Sequence, residues 1–179
     1  LDIELEHVWK KIIVGKADVE IAKLIQKLNI NDWVNQGRSY IQVDDDTCPF
    51  CQQPTITEDF KNQLENWFDE TYLNDIKAVK ELKQEYNSLC QNLINELNGI
   101  ETNQKNFKDT KLNVNKFSAY LKTLISQNTT NSEFLNNKIK EPSRSIELVS
   151  LKEQLDLIAD LITNANIEIK KHNDIVANF

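Results

Sequence analysis

Methionine is absent from all 179 residues, and glycine, proline and cysteine number only three each. Average chains carry several per cent of glycine and of proline, so tight turns are scarce here. That scarcity disfavours an all-β fold and a glycine-rich loop that cradles phosphate. No run approaches the roughly 18 apolar residues of a membrane span. No basic-then-apolar leader opens the chain, so a secretory signal is not expected. Basic charge is also short: 21 Lys and Arg against 28 Asp and Glu leave a formal charge of −7. Non-specific nucleic-acid binding works mainly by neutralising phosphates, so direct nucleic-acid binding is not expected, nor is a membrane partner. Without an initiator Met, and opening mid-pattern at Leu1-Asp2-Ile3-Glu4-Leu5, the chain reads as a piece of a larger, cytoplasmic protein.

What remains is apolar and charged residues in helical spacing: 40% hydrophobic and 27% charged, enough for a core. Leu1, Leu5, Val8 and Ile12 predict a stem helix over residues 1–14, ended by Gly15. Asp18 can cap a second helix through Leu28, with Ile21, Ala22, Leu24, Ile25 and Leu28 on one face. Asn31 can cap a third, holding Trp33 and Val34 and closed by Gly37. Tyr40, Ile41 and Val43 predict a brief extended stretch before Asp44-Asp45-Asp46. Residues 15–54 are thus expected as a small helical head carrying the loop Cys48-Pro49-Phe50-Cys51.

Residues 55–140 are expected to supply the long helices of an arm. Thr55-Ile56-Thr57-Glu58 has the spacing of a capping box, followed by Phe60, Leu64, Trp67 and Phe68. Ile76, Val79, Tyr86, Cys90, Leu93, Leu97 and Ile100 continue a heptad-like stripe, interrupted at Lys83. Phe107, Val114, Phe117, Leu121 and Leu124 carry a similar register, with a bend or break expected between Gly99 and Leu112. Thr130-Asn131-Ser132-Glu133 predicts a new helix to about Ile139, ended by Pro142. Ser150-Leu151-Lys152-Glu153 predicts another. Beyond it Leu155, Ile158, Ile162, Ala165, Ile169, His172, Val176 and Phe179 step by fours and threes, the pattern of a coiled-coil strand. Residues 141–179 are expected to pair with the 1–14 stem, which would bring both termini to one base, as an inserted domain requires. The fold class is all-α: a long antiparallel coiled-coil or helical arm with a small globular N-terminal part.

Chemistry concentrates at Cys48 and Cys51. A C-x-x-C turn can place two thiolates on one Zn²⁺ at about 2.3 Å, but structural zinc takes four ligands, so the pair is half a site. Two copies could share one ion, or Cys90, His7 or His172 could complete it. The alternatives are two reduced thiols without metal, or a redox pair. A structural disulfide is not expected with an odd cysteine count in a cytosolic chain. Cys90 reads as a small buried hydrophobe, His172 as a core-type heptad residue and His7 as solvent-facing. Asp44-Asp45-Asp46 lacks the spaced ligands of a calcium loop and reads as a solvated turn. Trp33, Tyr40 and Phe50 could serve as stacking platforms for RNA, against the charge argument. No G-x-x-x-x-G-K-S/T, G-x-G-x-x-G or G-x-S-x-G occurs, and no catalytic set is evident.

Taken together, several motifs resemble a known family. They are Val14-Gly15-Lys16-Ala17-Asp18-Val19-Glu20-Ile21-Ala22-Lys23-Leu24-Ile25, Asn31-Asp32-Trp33-Val34-Asn35-Gln36-Gly37 and Cys48-Pro49-Phe50-Cys51-Gln52-Gln53. Lys140-Glu141-Pro142-Ser143, Ile146-Glu147-Leu148 and Lys171-His172-Asn173 complete the set. The set resembles the coiled-coil insertion of bacterial ABC-type AAA ATPases, the family that includes the anticodon nucleases PrrC and RloC. The resemblance implies ATPase halves flanking this stretch, with ATP a cofactor of those halves and not of this chain. It implies no catalytic residue here, a role in a defence or stress system, and a zinc hook at Cys48 and Cys51. The implied partners are the protein's own ATPase domains and a second copy, met through the coiled coil or the C-P-F-C loop. A free-standing zinc-dependent dimerisation or adaptor module is the alternative.

Overall fold

The computed structural model describes residues 1–16, 18–42 and 44–177. Ala17, Val43 and Phe179, which the expectations above invoke, lie outside them. The fold is all-α. Among the described residues there are six α-helices and no β-strand: α1 (Ala22–Leu28), α2 (Asn31–Gly37), α3 (Glu58–Trp67), α4 (Glu70–Lys105), α5 (Val114–Lys140) and α6 (Lys152–Ala177). They form two compact units. One comprises Leu1–Leu5, Lys83–Phe134 and Leu148–Phe179; the other comprises Glu6–Leu82 and Leu135–Glu147.

In the first unit α4 and α5 run antiparallel. Asn131 donates to the Tyr86 hydroxyl at 2.7 Å, and further along Ser118 bonds Glu101. The apolar stripes meet between these pairs: Tyr86, Cys90, Ile94 and Leu97 from α4, Phe117, Leu121 and Leu124 from α5. The reversal falls at residues 106–113, within the polar stretch where a break was expected, whereas Gly99 lies inside α4. From α6, Leu151, Gln154, Ile158 and Ala165 are buried. Asn131 also clasps Val149, donating to its carbonyl at 2.8 Å and accepting from its N–H at 2.7 Å. Burial of the Tyr86 hydroxyl raises its pKa, and burial likewise pushes the Cys90 thiol up.

In the second unit α1, α2 and α3 pack with the start of α4 and the end of α5. Ile25, Leu64, Trp67, Phe68, Tyr72, Val79 and Leu135 form its core. Here the N-terminal segment is tied to residues 142–146: Ile13 N–H donates to the Pro142 carbonyl and Ile146 N–H to the Trp9 carbonyl. Thr57 caps α3, its hydroxyl accepting from Phe60 N–H at 3.2 Å. Thr57→Ala should therefore cost about 1 kcal/mol, readable as a small drop in the denaturation midpoint.

Several expectations need correction. Residues 1–14 form two 3₁₀ turns, Asp2–Leu5 and His7–Trp9, and no α-helix. Leu5 is 83% and Ile12 63% exposed, while Ile3, Trp9 and Ile13 are buried. Ile3 and Trp9 lie within these turns, so two short turns and not one continuous helical face set which side chains turn inward. Glu4 is buried and its carboxylate accepts weakly from Leu151 N–H, at 3.3 Å, just ahead of that helix. A helix of 26 residues spans about 39 Å. The chain's start therefore sits at one end of α6 and residue 177 at the other, not at one base. Residues 166–177 are exposed, His172 among them, because the heptad stripe outruns its packing partners.

Further along, α1 begins at Ala22, not Asp18, and Leu24 and Leu28 are exposed. The first long helix is capped at Thr57, not Thr55, and breaks at Phe68–Asp69. There the Asp69 carboxylate accepts from Tyr72 N–H at 2.9 Å and starts α4. Thr130-Asn131-Ser132-Glu133 does not open a helix but lies inside α5. The Thr130 and Ser132 hydroxyls bond carbonyls four residues back, a local option open to both residue types within a helix.

Candidate functional site

The C-P-F-C turn hangs on a short antiparallel bridge between Thr47 and Pro54. Cys48 N–H donates to the Gln53 carbonyl at 2.8 Å, and Gln52 N–H returns to the Cys48 carbonyl at 2.9 Å. Gln52 closes the turn at φ 57°, a left-handed conformation that glycine takes more easily. Its side-chain amide donates to the Pro49 carbonyl at 3.1 Å. This folding aims backbone N–H groups at one sulfur. The N–H groups of Cys51 and then Phe50 hold the Cys48 thiol below the usual thiol range. Cys51 is exposed, its sulfur 4.0 Å from the Thr55 hydroxyl. Asp45 accepts from Thr47 N–H at 2.8 Å, so the acidic run serves as a turn, and the Thr47 bonds lower the Asp45 pKa.

His7 is exposed on a 3₁₀ turn, while Cys90 and His172 belong to the other compact unit, the first buried and the second exposed. Among the described residues no cluster of three or more His, Cys, Asp and Glu could hold a metal ion. The turn presents two sulfurs, one of them facing backbone N–H groups, a donor pair that suits half of a tetrahedral zinc site. Thiol chemistry should follow exposure. With a thiol-disulfide reagent, two thiols per native chain react and the third, Cys90, reacts only on unfolding. Three fast thiols would contradict the buried placement of Cys90.

Phe50 is fixed from below by Trp33, the rings stacked with centroids 5.9 Å apart and 26° between planes. Trp33 belongs to the first turn of α2, where several motifs quoted above converge. The buried Asn31 carboxamide oxygen accepts from Gly15 N–H at 3.2 Å and from the Trp67 indole N–H at 3.1 Å. Its amide donates to Asp32 at 3.1 Å. Asp32 accepts the Ser143 hydroxyl at 2.6 Å, and Gln36 donates to the Lys140 carbonyl at 2.9 Å, stopping α5. Three stretches far apart in sequence thus meet on one seven-residue helix.

Sequence reasoning missed Lys138. Its side chain is completely buried, and its ammonium donates to the carbonyls of Lys11, Pro142 and Arg144 at 2.5, 2.9 and 2.5 Å. Burial lowers its pKa to about 8, offset in part by the charges of Asp32 and Asp75. A signal existed: Phe117, Leu121, Leu124, Asn131, Leu135 and Lys138 all fall in one heptad register of α5 and all are buried.

A family model described as an AAA domain matches residues 1–179, and the chain belongs to that AAA-domain family. No curated protein and no solved structure matches it. Among the described residues no helix is long and apolar enough to cross a membrane.

Proposed function

We propose that this chain is a non-catalytic helical module of an AAA-family ATPase, making protein contacts that link the state of the ATPase to a partner. The family match across the whole chain carries the reading. Two facts favour a non-catalytic part. The sequence holds no G-x-x-x-x-G-K-S/T, and the described residues contain no strand from which such a loop could spring. ATP then belongs to the flanking ATPase halves, which are the first partners. The likeness to PrrC and RloC proteins extends the reading to a cytoplasmic defence system. In the full-length ATPase, replacing this module by a helical linker of equal span should leave basal ATP hydrolysis intact and abolish its response to the partner. Loss of nucleotide binding itself would refute the module's non-catalytic role.

A second reading rests on the C-P-F-C turn, which holds Cys48 and an exposed Cys51 on one short bridged loop. Two copies would join through their C-P-F-C turns around one Zn²⁺. Protein purified without added metal should then hold about one zinc per two chains and become monomeric with chelator, since bound metal and assembly are linked. A monomer with one zinc per chain would rule this out.

A further inference from the structure

Between α3 and the end of α2, which continues as a 3₁₀ turn over Arg38–Tyr40, lies an open cleft of about 570 Å³. That volume falls in the range of small-ligand sites. Four charged side chains line it, and they are not equivalent. Lys61 is already bound, to Glu58 at 2.9 Å and to Asp46 at 3.1 Å. Arg38 is not. Its guanidinium lies 4.4 Å above the centre of the Phe68 ring, and Phe68 is held edge-on by Tyr72 with centroids 4.8 Å apart. Phe68 and Tyr72 are buried, so the platform is fixed.

Burial lowers the Arg38 pKa, yet arginine remains a cation at any ordinary pH. Among the described residues its guanidinium makes no ion pair and no side-chain hydrogen bond. A planar fork of five donors, half-buried against an aromatic ring and with no protein carboxylate on it, suits an incoming carboxylate. Glu65 lines the same cleft, exposed, and acts on Arg38 only through space. The four charges balance. A phosphate dianion would meet the Glu65 carboxylate with no compensating cation, whereas a zwitterion would satisfy both free groups.

We propose that this cleft binds a small zwitterionic carboxylate, an amino-acid-like head group, with its carboxylate in the fork of Arg38 and its ammonium on Glu65. The proposal is independent of the AAA-module reading. The test is an NMR titration of the 179-residue chain with L-alanine, acetate and inorganic phosphate, following the Arg38 Nε–H and the backbone amides of Ser39, Asn62 and Glu65. Alanine should give saturable shifts confined to these residues, and acetate weaker ones. Arg38→Met should abolish both, with the thermal midpoint checked. Glu65→Gln, which leaves the Arg38 platform untouched, should weaken alanine on the order of tenfold and leave acetate unchanged. Phosphate binding tighter than alanine, equal alanine affinity in Glu65→Gln, or no saturable shift with any probe would each overturn the proposal.

Discussion

Lys138→Met should lower the stability of the chain by roughly 3 kcal/mol or more, seen as a large drop in the urea midpoint. Methionine fills nearly the same volume, so the loss is not a cavity effect. It arises because the carbonyls of Lys11, Pro142 and Arg144 lose their donor while remaining enclosed. An unsatisfied buried acceptor costs about 1–3 kcal/mol, and relief from burying a charge offsets only part of three such losses. The effect also has a pH signature. The folded pKa of about 8 lies below the ordinary lysine value, so between about pH 8 and 10 the unfolded chain binds more protons than the folded one. Wild-type stability gains with rising pH through that window, while Lys138→Met lacks this gain. The gap between the two should widen from pH 8 to pH 10. A gap that is flat or narrows would mean that Lys138 titrates normally and is not enclosed as described.

Gly15→Ala is the second large effect. A methyl group there would overlap both the indole ring and the backbone carbonyl of Trp67. Trp67 is buried and cannot swing away, since its indole N–H is committed to Asn31. Moving the Gly15 backbone instead breaks its own bond to the same Asn31 oxygen. Overpacking of a tight core costs about 1–3 kcal/mol, and loss of a shared buried hydrogen bond adds to it. A loss of about 3 kcal/mol is expected. Asn31→Ala, which strands both donors without a clash, should approach it. If the two losses add fully in the double variant, the three residues do not form one hub, because coupled sites are not additive.

The legible parts of this fold are those that local chemistry decides. The break between α4 and α5 and the C-P-F-C turn follow from a polar run and a proline beside cysteine, and they needed no knowledge of neighbours; α2 spans Asn31–Gly37, but Asn31 makes no capping bond and Gly37 leads on into the 3₁₀ turn Arg38–Tyr40. The illegible parts depend on what lies across the chain. Leu1, Leu5, Val8 and Ile12 have helical spacing, yet residues 142–146 offer backbone partners to Trp9 and Ile13, and no continuous α-helix forms. Asn31 looks like an ordinary cap, and nothing local says that its oxygen serves Gly15 and Trp67. Lys138 escapes sequence reasoning because a buried lysine is rare without acceptors. Those acceptors are supplied by loops 11 and 142–144. His172 fails for the opposite reason, since its register continues after the packing stops.

Mg·ATP binding and hydrolysis by the purified 179-residue chain test the central claim most directly. A non-catalytic module of an AAA-family ATPase neither binds nor hydrolyses the nucleotide at millimolar concentration, while retaining its helical circular dichroism and cooperative unfolding. Saturable Mg·ATP binding with turnover by this chain alone would contradict the account, because it would place the ATPase site among these residues.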